Sequence, residues 1–264
     1  MHLNTDFIYK YSQSLKIPAF CYRSLAHANS MLDLAAYTYA LNKIGILIIN
    51  LEYQDPDGAT MQNIVNAIGT PHTHDGLDRT VWDIKLGGVH GSESLARSHK
   101  LDEFILHTDC SYEANVPDFF GLYVISSDNL GGGKNLIIDG STLIQHLSSS
   151  ALKVLQSETV KIIVPLEFRK NIEYIYAHVI DENFNMRYRR ELMDLSTASD
   201  DFMLALDELE RLCHSPALNR TLELPKDAIL FLDNKRYLHA RTTIKDPSRH
   251  LKRIRFFAAF HKLV

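Results

Sequence analysis

The sequence predicts a mainly β protein with flanking helices, built as a double-stranded β-helix, or jelly roll. Three observations lead to this fold class. Eight short apolar runs follow a helical lead, which is the pattern of jelly rolls and antiparallel barrels. The 264 residues are 45% hydrophobic and 23% charged, which suits one large core. No internal repeat, low-complexity tract or linker divides the chain, so we expect a single domain over residues 1–264.

The helical lead covers about residues 1–70. Residues 30–43 carry apolar side chains at helical spacing, and this pattern stops near Gly45. The apolar run over 46–51 is typical of a short buried strand. We expect a second helix over residues 60–67.

The predicted jelly-roll core extends from about residue 80 to residue 264. Its strands are short apolar runs bounded by turn-forming residues. A helical pattern over residues 200–213 interrupts them. The runs lie at 81–86, 103–108, 119–126, 134–138, 160–165, 172–180, 228–232 and 253–261.

The most informative motif is a histidine followed two residues later by an aspartate, His107 and Asp109. Alternate residues of a strand point to one face, so both side chains can contact one metal ion. Residues 228–241 are predicted to form a strand, a turn and a second strand. The second strand returns toward His107 and Asp109 and brings His239 close to them. Two histidines and one carboxylate form a facial triad with open coordination positions, which is typical of non-haem iron(II) oxygenases. Alone, the His-x-Asp pair is weak, because it also suits an ordinary surface or capping pair.

An arginine lies on the last predicted strand, fourteen residues after His239. In this strand Arg253 and Arg255 alternate with Ile254 and Phe256, so one face carries guanidinium groups. A guanidinium binds a carboxylate through two hydrogen bonds, which suits the far carboxylate of 2-oxoglutarate. The alternative is that the basic side chains of this segment only form a solvated edge.

These motifs resemble the taurine dioxygenase and clavaminate synthase-like superfamily of Fe(II)/2-oxoglutarate oxygenases. The matching stretches keep the family's order from about residue 82 to the C-terminus. They are His107-Thr-Asp109-Cys-Ser-Tyr, the glycine-rich segment 128–135 followed by Leu-Ile-Ile-Asp139-Gly140, the block Asp233-Asn234-x-Arg236-x-x-His239-x-Arg241, and Arg249-x-Leu-x-Arg253.

The resemblance implies that His107, Asp109 and His239 are the catalytic iron ligands and that Arg253 binds 2-oxoglutarate. Asn135 stands where the family usually has a threonine that contacts this co-substrate, and its amide can still donate a hydrogen bond to a carboxylate. The implied cofactors are Fe(II), 2-oxoglutarate and O2. The implied reaction oxidises a small molecule and releases succinate and CO2. Hydroxylation is the default outcome, and desaturation, cyclisation and epimerisation stay open.

Charged and polar side chains on both sides of the expected site suggest a zwitterionic substrate, such as an amino acid or a natural-product intermediate. The candidate substrate contacts are Arg241, Arg255, Ser94 and Tyr112. The alternative is that these side chains only solvate the rim.

Two further motifs have simpler interpretations. The segment Pro71-His72-Thr-His74-Asp75 offers two histidines and a carboxylate, but its Pro and Gly neighbours favour an exposed turn. No helix with Lys-Ser or Lys-Thr follows Gly131-Gly-Gly133, so this segment is expected to be a hairpin turn instead of a phosphate site.

Composition limits the partners and the compartment. A net charge of -4 and a pI near 6.3 argue against nucleic-acid binding. Three widely spaced cysteines suggest neither a disulfide framework nor a zinc site, so we expect a reducing cytoplasm. No run of eighteen apolar residues indicates membrane insertion. The expected partner is a small molecule, and a homo-oligomer is compatible with the sequence.

Two other functions stay open on sequence grounds. One is a noncatalytic metabolite-binding protein that keeps the fold, which the intact triad disfavours. The other is a cupin-like metalloenzyme that does not use 2-oxoglutarate, which Arg253 disfavours.

Overall fold

The computed structural model describes residues 21–28, 30–73, 79–87, 96–169 and 171–260. Within these ranges the chain is mainly β, with three sheets and five α-helices. The strands are β1 Tyr22–Ala26, β2 Ile46–Leu51, β3 Gly69–Pro71, β4 Val81–Ile84, β5 Phe104–His107, β6 Phe119–Ser126, β7 Asn135–Asp139, β8 Val160–Ile163, β9 Tyr174–Ala177, β10 Met193–Asp194, β11 Arg220–Leu222, β12 Ala228–Asp233, β13 Tyr237–Arg241 and β14 His250–Ala258. The helices are α1 Leu34–Lys43, α2 Ala59–Ile68, α3 Gly140–His146, α4 Ser149–Ser157 and α5 Asp200–Cys213.

The largest sheet has seven strands in the order β1-β2-β12-β6-β14-β3, and β4 also pairs with β14. Its central strand β12 is buried along its whole length and pairs antiparallel with both β2 and β6. Because β1 and β2 belong to this sheet, the described part of the predicted helical lead contributes two strands to the β structure and is not a separate helical cap.

Helices α1 and α2 cover the outer face of the seven-stranded sheet. Met61 and Ile64 of α2 pack in one cluster with Phe231, Ile254 and Phe256 of the sheet. Burial of such side chains contributes on the order of 1.5–3 kcal/mol each. The apolar half of the β14 alternation therefore faces the helices, which turns the arginine half toward the other side of the sheet.

A four-stranded sheet, in the order β11-β7-β13-β5, lies against the inner face of the larger sheet. Ile48, Phe120 and Leu230 from the larger sheet share an apolar cluster with Ile137 and Tyr237 from the smaller one. Two facing sheets are what a double-stranded β-helix requires.

The other face of the smaller sheet is covered by a second apolar layer. Ile138 and Leu238 point into a cluster formed with α3, α4, α5 and the three-stranded sheet β10-β8-β9. The site-bearing strands β13 and β7 are therefore packed on both faces, which holds them rigidly.

Every helix and strand predicted from the sequence has a counterpart, and the strand after Gly45 and the helix over 200–213 are reproduced to the residue. Helices α3 and α4 were not predicted. Their capping residues were the available signal, because Asp139 accepts a hydrogen bond from Ser141 N and Ser148 accepts one from Ala151 N. The short strands β1, β3, β10 and β11 were also missed, since two to five residues give little periodicity.

The glycine-rich segment is not the predicted hairpin turn. It connects β6 of the larger sheet to β7 of the smaller sheet, so it crosses from one sheet to the other. Gly131 and Gly133 have positive φ angles of 78° and 62°, which favour glycine. A Cβ on Gly133 would lie 3.0 Å from Arg249 Nε, so the missing side chain leaves room for that arginine.

Among the described helices, none combines the length and the apolar character needed to cross a membrane.

Gly121 of β6 offers a test of packing between the strands. It pairs with Phe231 of β12 and Ile254 of β14, and a Cβ would lie 2.8 Å from the Phe231 ring and 3.1 Å from Ile254 Cγ2. We expect Gly121→Ala to lower the free energy of unfolding by about 1–3 kcal/mol because the core is overpacked. Urea denaturation measures this change. In a Phe231→Leu background the same substitution should cost less, and an equal cost in both backgrounds would contradict the proposed clash.

Candidate metal centre

The structure brings the three predicted ligands together at one edge of the smaller sheet. His107 and His239 face each other as paired residues of β5 and β13. Their Nε2 atoms lie 3.5 Å and 3.7 Å from the same oxygen, Asp109 Oδ1. All three donor atoms lie within 4.8 Å of one another, and His107 and Asp109 are buried. Such a group can hold one metal ion.

Asp109 reaches this position through a turn. Strand β5 ends at His107, so Asp109 does not lie on the strand as expected. The fully buried Asn234 holds it instead, because Asn234 Oδ1 accepts a hydrogen bond from Asp109 N at 2.7 Å and Asn234 Nδ2 donates one to Asp109 O at 2.9 Å. The spacing of the sequence gave no signal for this clamp beyond the presence of Asn234 in the family-like block.

The imidazole of His107 is held as a neutral ring. Nδ1 of His107 donates a hydrogen bond to the carbonyl oxygen of Ile105 at 2.8 Å, which leaves the lone pair on Nε2 directed toward Asp109. Burial, with the neighbouring His239, lowers the pKa of His107 to about 3. Phe104 stacks on His107 with ring centroids 3.8 Å apart, and Phe120 packs against His239 at 4.4 Å. A neutral ring held by a hydrogen bond to its other nitrogen is what a metal ligand requires.

Two arginines of β14 face the carboxylate. Arg255 Nε donates a hydrogen bond to Asp109 Oδ2 at 2.6 Å, and Arg253 Nη1 lies 3.5 Å from the same oxygen. Burial alone would raise the pKa of Asp109, but Arg253 and Arg255 hold it well below its usual value. The carboxylate is therefore charged, with Oδ2 engaged by arginine and Oδ1 facing the two histidines.

Arg249 is a basic residue whose importance sequence reasoning missed. Its side chain is 6% exposed, lines the same cavity as Asn135, His239 and Arg253, and makes no hydrogen bond or ion pair within the described residues. Burial, with the neighbouring Arg241, lowers its pKa to about 10, so it is still charged at neutral pH. Asp128 lies near enough to favour the charged form, but no described carboxylate contacts this guanidinium directly, so it is suited to bind an anion. The sequence signal for Arg249 was the motif Arg249-x-Leu-x-Arg253, in which we assigned a role to Arg253 alone.

Two predicted residues have side-chain partners in the protein itself. Asn135 lines the cavity beside His239, and its Nδ2 donates a hydrogen bond to Leu222 O at 3.3 Å. Arg241 donates hydrogen bonds to the carbonyl oxygens of Lys100 and Asp102, both at 2.9 Å. The structure thus supports a tethering role for Arg241 in place of the expected substrate contact.

Tyr112 fits its predicted place beside the triad. It lines a cavity with His107, Asp109 and Arg255, and its ring stacks on Phe168 at 5.2 Å. Its buried hydroxyl makes no hydrogen bond within the described residues. Ser94 lies outside the described residues.

A second group of potential ligands consists of His72, Cys110 and Glu113, behind the triad. His72 Nε2 and Glu113 Oε2 share a hydrogen bond of 2.7 Å. Burial raises the pKa of Cys110 to about 12, so the thiol is protonated, and the Arg255 guanidinium is close to it. A protonated thiol beside a guanidinium does not favour a cation, and His74 and Asp75 of the same sequence motif lie outside the described residues.

One family model matches the chain. Residues 169–255 match the family described as "Taurine catabolism dioxygenase TauD, TfdA family". This segment includes His239, Arg249 and Arg253, and it begins after His107 and Asp109. A comparison with curated proteins found no match.

Solved structures share the fold at low sequence identity. Asparagine oxygenase in complex with Fe(II), 2S,3S-3-hydroxyasparagine and succinate is 17% identical, with a TM-score of 0.68 over 86% of this chain and 78% of that chain. PvcB from Pseudomonas aeruginosa is 16% identical, with a TM-score of 0.64 over 90% and 87%. A taurine dioxygenase from Burkholderia xenovorans is 14% identical, with a TM-score of 0.65 over 88% and 85%. The fold is therefore shared with these oxygenases, and the resemblance drawn from the motifs is confirmed.

Metal binding tests the three ligands directly. We expect His107→Ala and His239→Ala each to lower the affinity for Fe(II) by an order of magnitude or more, because each removes a donor atom. Anaerobic titration with Fe(II) measures the effect. The exposed His214 supplies the control, since His214→Ala should leave the affinity unchanged. Unchanged affinity in both site variants would show that these histidines are not ligands.

Proposed function

We propose that this chain, which resembles the TauD/TfdA dioxygenases in motifs and fold, is an Fe(II)/2-oxoglutarate-dependent oxygenase. We also propose that residues 1–264 form one domain with a double-stranded β-helix core. The observation that carries the proposal is the convergence of two imidazoles and one carboxylate beside buried arginines. The substrate is a small molecule, and hydroxylation is the expected reaction.

The donor set fits iron(II). Nε2 of His107, Nε2 of His239 and Oδ1 of Asp109 would hold the ion. When bound, iron(II) with 2-oxoglutarate activates dioxygen and supplies the oxidising power that protein side chains lack. The hydrogen bond from Arg255 to Oδ2 favours coordination through one carboxylate oxygen, which keeps further positions open for co-substrate and dioxygen.

The protein orients these ligands through their neighbours. The carbonyl of Ile105 fixes the tautomer of His107, and Asn234 holds the backbone of Asp109. Phe104 and Phe120 cover the two rings and limit the access of water. Hydrogen bonds and packing of this kind commonly set the affinity and reactivity of a metal site.

Two arginines are available for the two carboxylates of 2-oxoglutarate. Arg253 is the predicted anchor, and its Nε is buried without a hydrogen bond within the described residues. Arg253 Nη1 also lies 3.5 Å from Asp109 Oδ2, so Arg253 is placed to bind the end of the co-substrate that is nearest the metal. Arg249 lies four residues earlier, about 13 Å along an extended chain, next to Asn135. We therefore propose that Arg249 and Asn135 bind the distal carboxylate and that Arg253 binds the metal end.

Substitution by lysine distinguishes the proposed roles of Arg249 and Arg253. Lysine keeps the charge and loses the planar fork, so Arg249→Lys should weaken 2-oxoglutarate binding by about 1.5–3 kcal/mol. Binding of 2-oxovalerate, which lacks the distal carboxylate, should stay unchanged in this variant. Arg253→Lys should weaken the binding of both acids. Calorimetry on the Zn(II)-loaded protein measures these affinities without turnover.

The opposite pattern of affinities would assign the distal carboxylate of 2-oxoglutarate to Arg253. A loss specific to 2-oxoglutarate in Arg253→Lys, together with full binding of this acid by Arg249→Lys, would contradict the division proposed above.

Turnover tests the oxygenase itself. With Fe(II) and O2, the purified protein should convert 2-oxoglutarate to succinate and CO2, and Asp109→Ala should abolish this conversion because it removes the charged ligand. Mass spectrometry of succinate is the readout, and Asp207→Ala on the exposed face of α5 is the control. Metal binding without 2-oxoglutarate consumption would favour the cupin-like alternative. Absence of both would favour the noncatalytic one.

A further inference from the structure

The turn that carries Asp109 contains an unfavourable backbone conformation. Cys110, the next residue, has a φ angle of 56°, in the left-handed region that residues with a side chain rarely adopt. The turn closes with a hydrogen bond from Glu113 N to Cys110 O at 2.9 Å. A conformation of this kind persists only where the surrounding structure holds it. The contacts that hold the turn therefore also bear on the position of Asp109.

One guanidinium group binds the backbone of this turn. Arg187 Nη1 donates hydrogen bonds to Ser111 O at 2.9 Å and to Glu113 O at 2.5 Å, and Arg187 Nη2 donates one to Ala114 O at 3.3 Å. A guanidinium presents its N–H donors in a rigid planar arrangement. The three hydrogen bonds therefore fix the orientation of three peptide groups relative to one another.

The two residues after this arginine lie beside the start of the ligand-bearing segment. Thr108 N donates a hydrogen bond to Tyr188 O at 2.7 Å, and Tyr188 N donates one to Thr108 Oγ1 at 3.0 Å. Arg189 forms an isolated antiparallel bridge with His107. We call residues 187–189 the strap. It contacts the chain before and after the carboxylate ligand.

The strap is fixed to the rest of the fold. Arg187 N donates a hydrogen bond to Val179 O at 2.8 Å, and Met186 N, just before the strap, donates one to Lys235 O at 2.7 Å. The Tyr188 side chain is buried in the apolar layer that covers the smaller sheet. Because the strap is held independently of the turn, it can determine the conformation of the turn.

We infer that Arg187 is a positioning residue of the metal centre, which holds the turn after Asp109 so that the carboxylate faces the two histidines. This inference rests on the proposed function, because it concerns the same centre. Asn234 binds the backbone of Asp109 itself, and Arg187 supports the following residues of the turn. Tyr112 belongs to the supported stretch, so Arg187 also positions its ring at the wall of the cavity.

Substitution of Arg187 tests this role with Co(II) as a probe ion, because the visible absorption of Co(II) depends on the arrangement of its ligands. We expect Arg187→Ala to lower the affinity for Co(II) about tenfold and to change the absorption bands of the bound ion, since the carboxylate loses its support. Arg187→Lys keeps the charge and can still donate to part of the carbonyl group set, so its loss should be smaller. Titration followed by visible absorption measures both properties.

Chemical rescue distinguishes positioning from a general loss of stability. The Arg187 side chain is half-buried, so the space that Arg187→Ala leaves can be reached from solvent by ethylguanidinium, which replaces the missing atoms. We expect this cation to return the affinity and the spectrum of Arg187→Ala toward those of the native protein. Ethylammonium at the same concentration should change neither property. His107→Ala, which lacks a ligand, should not be rescued.

A second arginine controls for the change in net charge. Arg211 lies on the exposed face of α5, and Arg211→Ala should bind Co(II) with native affinity and a native spectrum. An equal loss of affinity in Arg211→Ala and Arg187→Ala would show that net charge alone is responsible and would overturn the inference.

The remaining outcomes are also decisive. Native affinity and a native spectrum in Arg187→Ala would overturn the inference. A lower affinity with a native spectrum and no rescue would show that Arg187 only stabilises the fold, and would overturn it as well. If Arg187→Ala does not fold, the spectrum of Arg187→Lys decides: an altered spectrum supports the inference, and a native one overturns it. Absence of Co(II) binding by the native protein would instead overturn the metal centre and the proposed function.

Discussion

The buried pair of hydrogen bonds between the Asn234 side chain and the Asp109 backbone is the constraint on which the site depends. Asn234 also donates to Pro117 O at 3.0 Å, and its own backbone N donates to Asp118 O at 2.9 Å. One amide thus joins the turn after β5, the start of β6 and the turn between β12 and β13. Without this junction, nothing in the strand geometry would direct the Asp109 carboxylate toward the histidines, because β5 has already ended.

Strand β14 performs two tasks through the simple alternation of its side chains. Ile254 and Phe256 pack against the helices, which places the strand, while Arg253 and Arg255 turn their charges toward the space between the sheets. Desolvating two guanidiniums is expensive, and the Asp109 carboxylate offsets part of the cost. This side of β14 is therefore suited to bind anions, as the proposed co-substrate requires.

Much of the architecture followed from apolar periodicity. Strands β6 and β12 and helix α5 could be predicted because each has a long, regular apolar pattern. The two histidines and the aspartate could be predicted as ligands because they form a spaced motif. The sequence could not show that Arg249 is buried beside His239 and Arg253, since the spacing of the two arginines does not reveal which side chains surround them. It also could not show that Arg241 is occupied by the carbonyl oxygens near Lys100, because that contact joins segments distant in the chain.

The position of His107 at the edge of the smaller sheet has a consequence for dynamics. β5 pairs with β13 on one side, and on the other side its one backbone pairing among the described residues is an isolated bridge between His107 and Arg189. An ion shared by His107 and His239 would connect this edge strand to its neighbour, and binding stabilises only the conformation in which both ligands are in place. Amide hydrogen exchange in β5 is therefore a natural gauge of metal occupancy, with the strand opening locally in the apoprotein and closing as the ion binds.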